Sequence, residues 1–180
     1  NSGNFTMSGL GNTAIGNSAL DNNTTGIFNT SLGVQSLTNN TTGDNNTSLG
    51  YQSLSGNLSG DNNVAIGHLT LSSNNSGLSN TGVGFRSLTA NTTGDNNVAI
   101  GNNSGATITT GSNNIAIGNA ANVSSGTSSN QIRLGNTAIT YAGIQVAWTV
   151  TSDRRLKSNI LNSNLGLDFI NKLRPVSYTR

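Results

Sequence analysis

A spacing of seventeen residues, kept without slip, constrains this chain more than any other feature of its sequence. A pair ending in Ile, Leu or Val and followed by Gly recurs as Ala14-Ile15-Gly16, Ser31-Leu32-Gly33, Ser48-Leu49-Gly50 and Ala65-Ile66-Gly67. It continues as Gly82-Val83-Gly84, Ala99-Ile100-Gly101, Ala116-Ile117-Gly118 and Arg133-Leu134-Gly135. Other columns hold the same register. Asn12, Asn29, Asn46, Asn63, Asn80, Asn97 and Asn114 stand four positions before these glycines, with Gln131 closing the column. Leu20, Leu37, Leu54, Leu71 and Leu88 stand four positions after them. A second glycine column runs from Gly9 through Gly26, Gly43, Gly60, Gly77, Gly94 and Gly111, and a second asparagine column runs from Asn23 through Asn40, Asn57 and Asn74 to Asn91.

Seventeen residues are too few for a helical repeat or a propeller blade. They suit one coil of a solenoid, built of two short strands and two turns. The predicted fold is therefore all-β: a parallel β-solenoid in which identical asparagines stack and their amides bond in ladders. Coils repeating at about 4.8 Å give a shaft of roughly 40 Å. Hydropathy predicts that the residue before each first-column glycine points inward. The expected core is Ile15, Leu32, Leu49, Ile66, Val83, Ile100, Ile117 and Leu134, with the Leu column beside it.

Composition agrees with a thin structure. Hydrophobic residues make up 32% and charged residues 8% of the 180 positions, so one coil has little apolar surface to bury. With about two large apolar side chains per coil, lateral association is expected, and a homotrimer is the arrangement that suits a fibre. No Cys is present, which excludes a disulfide framework and thiolate metal sites. No apolar run approaches the roughly 18 residues that span a bilayer, so no membrane insertion is expected. The chain opens inside repetitive sequence without Met and reads as a piece of a longer one.

The motif Asn63-Val64-Ala65-Ile66-Gly67, with Asn97-Val98-Ala99-Ile100-Gly101 and Asn114-Ile115-Ala116-Ile117-Gly118, resembles the head repeat of Yersinia-type trimeric autotransporter adhesins. The resemblance covers roughly residues 9–135. It implies a trimer of left-handed parallel β-rolls, although the period here is longer than that family's usual one.

The character of the chain changes after residue 135. Residues 1–150 hold Arg86 and Arg133 against Asp21, Asp44, Asp61 and Asp95. Residues 151–180 hold Arg154, Arg155, Lys157, Lys172, Arg174 and Arg180 against Asp153 and Asp168. The alternation of Ile144, Val146, Trp148 and Val150 predicts a strand within a neck over 136–151. Phe169, Ile170 and Leu173 have helical spacing, with Asp168 as cap and Pro175 as stop, so the end of the chain is expected to be a short α/β segment.

The run Ser152-Asp153-Arg154-Arg155-Leu156-Lys157-Ser158-Asn159-Ile160, and the later Gly166-Leu167-Asp168-Phe169-Ile170-Asn171-Lys172-Leu173-Arg174-Pro175-Val176-Ser177-Tyr178, resemble the start of the endosialidase-type intramolecular chaperone domain. Such domains sit at the C-terminus of many phage tail fibres and tailspikes and of some bacterial surface proteins. The resemblance implies that 152–180 begins a domain that trimerises, templates the fibre upstream and releases itself by cleavage before the Ser. The cut would fall between Thr151 and Ser152, with Ser152 as nucleophile and Lys157 as base, its charge suppressed by burial or by Arg154 and Arg155.

Other constellations are read as structural. Asp44, Asp61 and Asp95 precede Asn in Gly-Asp-Asn-Asn turns, but Ile27, Leu78 and Ser112 interrupt the column, so they are turn formers rather than calcium ligands. His68 shares a column with Val34, Tyr51 and Phe85 and is read as a surface side chain, not a metal ligand; a sugar-binding strip of Tyr51, His68 and Phe85 is a weaker alternative. Thr13, Thr30, Thr47 and Thr81 form a row as in ice-binding solenoids, but Val64, Val98 and Ile115 interrupt it. The basic tail has few aromatic residues and does not suggest a nucleic-acid partner. No cofactor or metal is expected. The sequence thus predicts a structural or adhesive fibre, a phage tail fibre or spike shaft, with a bacterial surface adhesin as alternative. The partners expected are two further copies of the chain and a host-surface glycan or protein receptor. Autoproteolysis would be its sole catalysis.

Overall fold

The computed structural model describes residues 8–142; the expected strand at 144–150, the C-terminal helix, Ser152 and Lys157 lie outside them. Contacts divide the chain into two units, Asn1–Thr140 and Tyr141–Arg180. Within the first, eight three-residue strands form one parallel sheet in sequence order: β1 Thr13–Ile15, β2 Thr30–Leu32, β3 Thr47–Leu49, β4 Val64–Ile66, β5 Thr81–Val83, β6 Val98–Ile100, β7 Ile115–Ile117 and β8 Ile132–Leu134. Every pairing has the same register, such as Ala65 on Ser48 and Ala99 on Gly82. The repeat is therefore a β-solenoid, with no helix among the described residues.

Each coil holds one strand, not the two expected. The remainder is a series of turns whose N–H groups still bond to the neighbouring coil: Leu37 donates to the Ser53 carbonyl at 2.9 Å, and Thr41 to the Leu58 carbonyl at 2.9 Å. The backbone explains the absence of a second strand. Leu20, Leu37, Leu54, Leu71 and Leu88 all sit in the left-handed region, with φ between 48 and 53°. So do the columns of Gln35 and Gln52 and of Asn45 and Asn62. Non-glycine residues seldom adopt this conformation, and regular strand geometry cannot pass through it. At Gly33, φ is 140°, and a Cβ there would lie 2.5 Å from the Gly50 carbonyl oxygen. The glycine column thus marks where successive coils touch through backbone alone.

The core corrects the expected one by a single residue. Side chains alternate along each strand, so only one of two neighbours can face inward. Ser31, Ser48, Ala65, Ala99 and Ala116 are buried, whereas Ile15, Leu32, Leu49, Ile66, Ile100, Ile117 and Leu134 are exposed and Val83 is half-buried. Ala65 has no exposure and Ile66 has 37%. The interior is too narrow for the larger residue. At Gly82 even a Cβ would come within 2.6 Å of Thr70 Cγ2, where other coils place Ser or Ala at the Thr70 position. The Leu column is the apolar core, as expected, with Ile108 and Ala121 continuing it.

Asparagine supplies the rest of the interior. Asn40, Asn57, Asn74 and Asn91 each donate from Nδ2 to Oδ1 of the asparagine one coil earlier at 2.8 Å. The same amides also donate to the carbonyls of Gly43, Gly60, Gly77 and Gly94. In the other column, Asn46 Oδ1 accepts the backbone N–H of Asn63 at 2.9 Å, and Asn63 Nδ2 donates to the Gly77 carbonyl at 2.8 Å. These amides are buried and their bonds recur coil after coil, so the stack holds polar groups in its interior with nearly all of them paired, Asn91 Oδ1 being the exception.

Candidate functional site

The strand alternation that buries Ala65 turns its neighbours outward into a continuous stripe. Ile15, Leu32, Leu49, Ile66, Val83, Ile100, Ile117 and Leu134 form one line on the outer face of the sheet, rung upon rung through the strand pairings. Thr13, Thr30, Thr47, Val64, Thr81, Val98, Ile115 and Ile132 form a second outward line on the same strands. From β4 onward that line is Val or Ile except at Thr81, so the face becomes more apolar towards β8.

Just past the glycine corner, a third line widens the face. Val34, Tyr51 and Phe85 are exposed, and His68 lies between the two rings. The His68 ring centroid is 5.1 Å from that of Tyr51 at an interplanar angle of 66°, and 5.2 Å from that of Phe85 at 65°. The ladder brings together the three rings that the sequence scatters at intervals of seventeen. Each ring meets the next edge to face, an attractive arrangement for aromatic pairs. His68 is a surface side chain in contact with two rings.

The acidic column has a use that turn chemistry did not reveal. Asp44 Oδ1 accepts the backbone N–H of Ile27, Asp61 Oδ1 that of Asp44, and Asp95 Oδ1 that of Leu78, each at 2.8 Å. These carboxylates bridge successive coils. Among the described residues, no three His, Cys, Asp or Glu side chains come together as a metal site would require. Serine was likewise missed by sequence reasoning: Ser48 Oγ donates to the Ser53 carbonyl at 2.8 Å, and Ser36 Oγ to the Ser48 carbonyl at 3.1 Å. A small hydroxyl that fits the narrow interior while bonding backbone is the signal that identifies them.

The last coil departs from the repeat. Arg133 takes the position that Ala, Ser or Gly holds in earlier coils, and its Nε donates to the Gly135 carbonyl at 3.2 Å. A hollow of about 440 Å³ there is lined by Asn122, Val123, Ser124, Gln131, Ile132 and Arg133. It lacks the paired acid and base that a catalytic site needs. The chemistry legible in the described residues is that of surface contact, and the predicted nucleophile and base belong to the segment beyond them.

No curated protein matches this chain. No solved structure matches it either. Residues 152–180, the segment carrying Ser152 and Lys157, match the family model described as Chaperone of endosialidase.

Proposed function

We propose that this chain is the shaft of a phage tail fibre or tailspike, assembled as a homotrimer under the direction of the segment that begins at Ser152. The observation that carries the reading is the match of residues 152–180 to the endosialidase chaperone, directly after a β-solenoid. The exposed stripe supports association of copies. A partner that touches every rung must itself offer a side chain every 4.8 Å or so along a line. A second copy of the same solenoid does so by construction. Large apolar residues on every coil of a soluble shaft mark an interface. In this reading Ile66 and its column form the seam, while the remaining turns face solvent and a host-surface glycan or protein receptor. A bacterial cell-surface adhesin of the same architecture is the second reading, supported by the Asn-Val-Ala-Ile-Gly motif at 63–67 and 97–101.

The chaperone releases itself once the shaft has formed. Ser152 Oγ attacks the Thr151 carbonyl carbon and Lys157 Nζ takes the hydroxyl proton. The Thr151–Ser152 amide bond breaks as its nitrogen is protonated, leaving Thr151 esterified to Ser152, and water then hydrolyses the ester. Lys157 acts in this way near neutral pH only if burial or cationic neighbours lower its pKa. The test compares wild type with Ser152→Ala, each carrying a complete C-terminal domain, by denaturing gel and intact mass. Wild type is expected as two pieces cut after Thr151, and the variant as one uncut chain that still trimerises. Two uncut proteins would rule out autoproteolysis, and a monomeric shaft in sedimentation would rule out the trimer.

A further inference from the structure

We propose that the shaft carries a weak joint between the turn after β5 and the turn after β6, created by a coupled exchange at Gly105 and Ile108. In every earlier coil the pair three residues apart is Leu and Asn: Leu20 and Asn23, Leu37 and Asn40, Leu54 and Asn57, Leu71 and Asn74, Leu88 and Asn91. At the next coil it becomes Gly105 and Ile108. The two changes compensate in space. Ile108 is fully buried, and a Cβ built at Gly105 would lie 3.3 Å from Ile108 Cδ1 and 3.0 Å from Leu88 Cδ2. Ile108 therefore occupies the volume that leucine fills elsewhere, entering from the asparagine position.

The leucine's apolar volume is refilled, but the asparagine's hydrogen bonding is not. The buried ladder runs by donation from each later amide to the earlier Oδ1, and Ile108 has no amide. Asn91 Oδ1 is the buried side-chain oxygen left without a partner among the described residues. An unpaired buried acceptor destabilises the contact it faces. The backbone bonds across this contact persist, including Leu88 N–H to the Ser104 carbonyl at 3.0 Å and Thr92 N–H to the Thr109 carbonyl at 2.8 Å. The other asparagine ladder also continues, with Asn97 Oδ1 accepting Asn114 N–H at 3.0 Å. The coils remain joined, but by one bond fewer on one side. Stability in a stacked array is set by each contact between neighbours, so one weakened contact defines where a group of coils opens together. The coils of β6 to β8 open as a unit while those of β1 to β5 stay closed. This confines opening to the end of the shaft that adjoins, in sequence, the segment from Ser152 onward.

The backbone permits a direct repair. Gly105 has φ of 59°, close to the 48 to 53° of the five leucines in its column, so leucine fits that backbone conformation, with Leu88 Cδ2 and Ala99 Cβ, 3.0 and 3.1 Å from the added Cβ, giving way by a few tenths of an ångström. The experiment uses the full chain with its complete C-terminal domain and measures thermal melting and amide hydrogen exchange. Gly105→Leu alone crowds Ile108, and Ile108→Asn alone leaves a void, so both are expected to melt below wild type. The double variant is expected to melt about 3 °C above wild type and to slow exchange over residues 102–134 by roughly tenfold, the effect of one restored buried bond. The reverse pair, Leu88→Gly with Asn91→Ile, moves the joint one coil upstream, so fast exchange should begin near residue 85. A double variant no more stable than wild type, or a boundary that stays in place in the reverse pair, overturns the proposal. Ordinary fraying of the terminal coils predicts such a fixed boundary, so these outcomes separate the two.

Discussion

Ala65 and Ile66 are adjacent in sequence, both apolar and both in β4, yet one is sealed inside the coil and the other faces outward. The same division holds at Ala99 and Ile100 and at Ala116 and Ile117. In a large globular core the bigger side chain is the better buried, because burial energy grows with area. Here the interior is one leucine and one asparagine wide, and the small residue wins its place on volume. Size, not hydropathy, sorts the two faces of the sheet. The inner face makes the coil, and the outer face is left exposed.

That division is open to direct attack. The largest effect is expected on the inner side: Leu54→Ala removes the apolar filling of one coil and should cost about 2–5 kcal/mol, read by denaturant unfolding. Asn63→Ala leaves the backbone N–H of Asn80 without its acceptor and takes one of two side-chain donors from the Gly77 carbonyl, and a loss of about 1–3 kcal/mol is expected in the same assay. Ala65→Leu overfills the narrow interior and should cost about 1–3 kcal/mol; an unchanged midpoint would show that the coil is wider than its packing indicates. Ile66→Asp sharpens the comparison most. As an exposed residue it should change the stability of a single chain by less than about 0.5 kcal/mol while abolishing association in sedimentation. A collapse of the fold instead would return Ile66 to the interior. Tyr51→Ala removes one edge-to-face contact with His68 and is expected to cost about 1 kcal/mol or less.

The sequence makes the period, the glycine corners and both asparagine ladders legible, because each depends on residue type recurring at a fixed interval. It does not reveal which way the strand faces. In a three-residue strand both Ala and Ile are acceptable inward choices by hydropathy, and a one-residue error flips the whole column. The left-handed leucines are equally hidden, since nothing in Leu itself announces positive φ; the geometry follows only from stacking five of them. The aromatic ladder required a known coil length before Tyr51, His68 and Phe85 could be seen as neighbours. Ser152 and Lys157 rest on their motif's likeness to a family alone, and their roles stay a proposal for the cleavage test.

The uniform register of the sheet has a consequence for how such a shaft changes over generations. Any repeat laid on its neighbour meets nearly the same surface that it left, as Thr30 to Leu32 on Thr47 to Leu49 illustrates. Duplication or loss of one repeat in the gene therefore lengthens or shortens the solenoid by a single step and leaves every remaining contact of the same kind. Unequal recombination between repeats becomes a length adjustment instead of a lesion, and the length of the solenoid can drift by whole coils while its cross-section stays fixed.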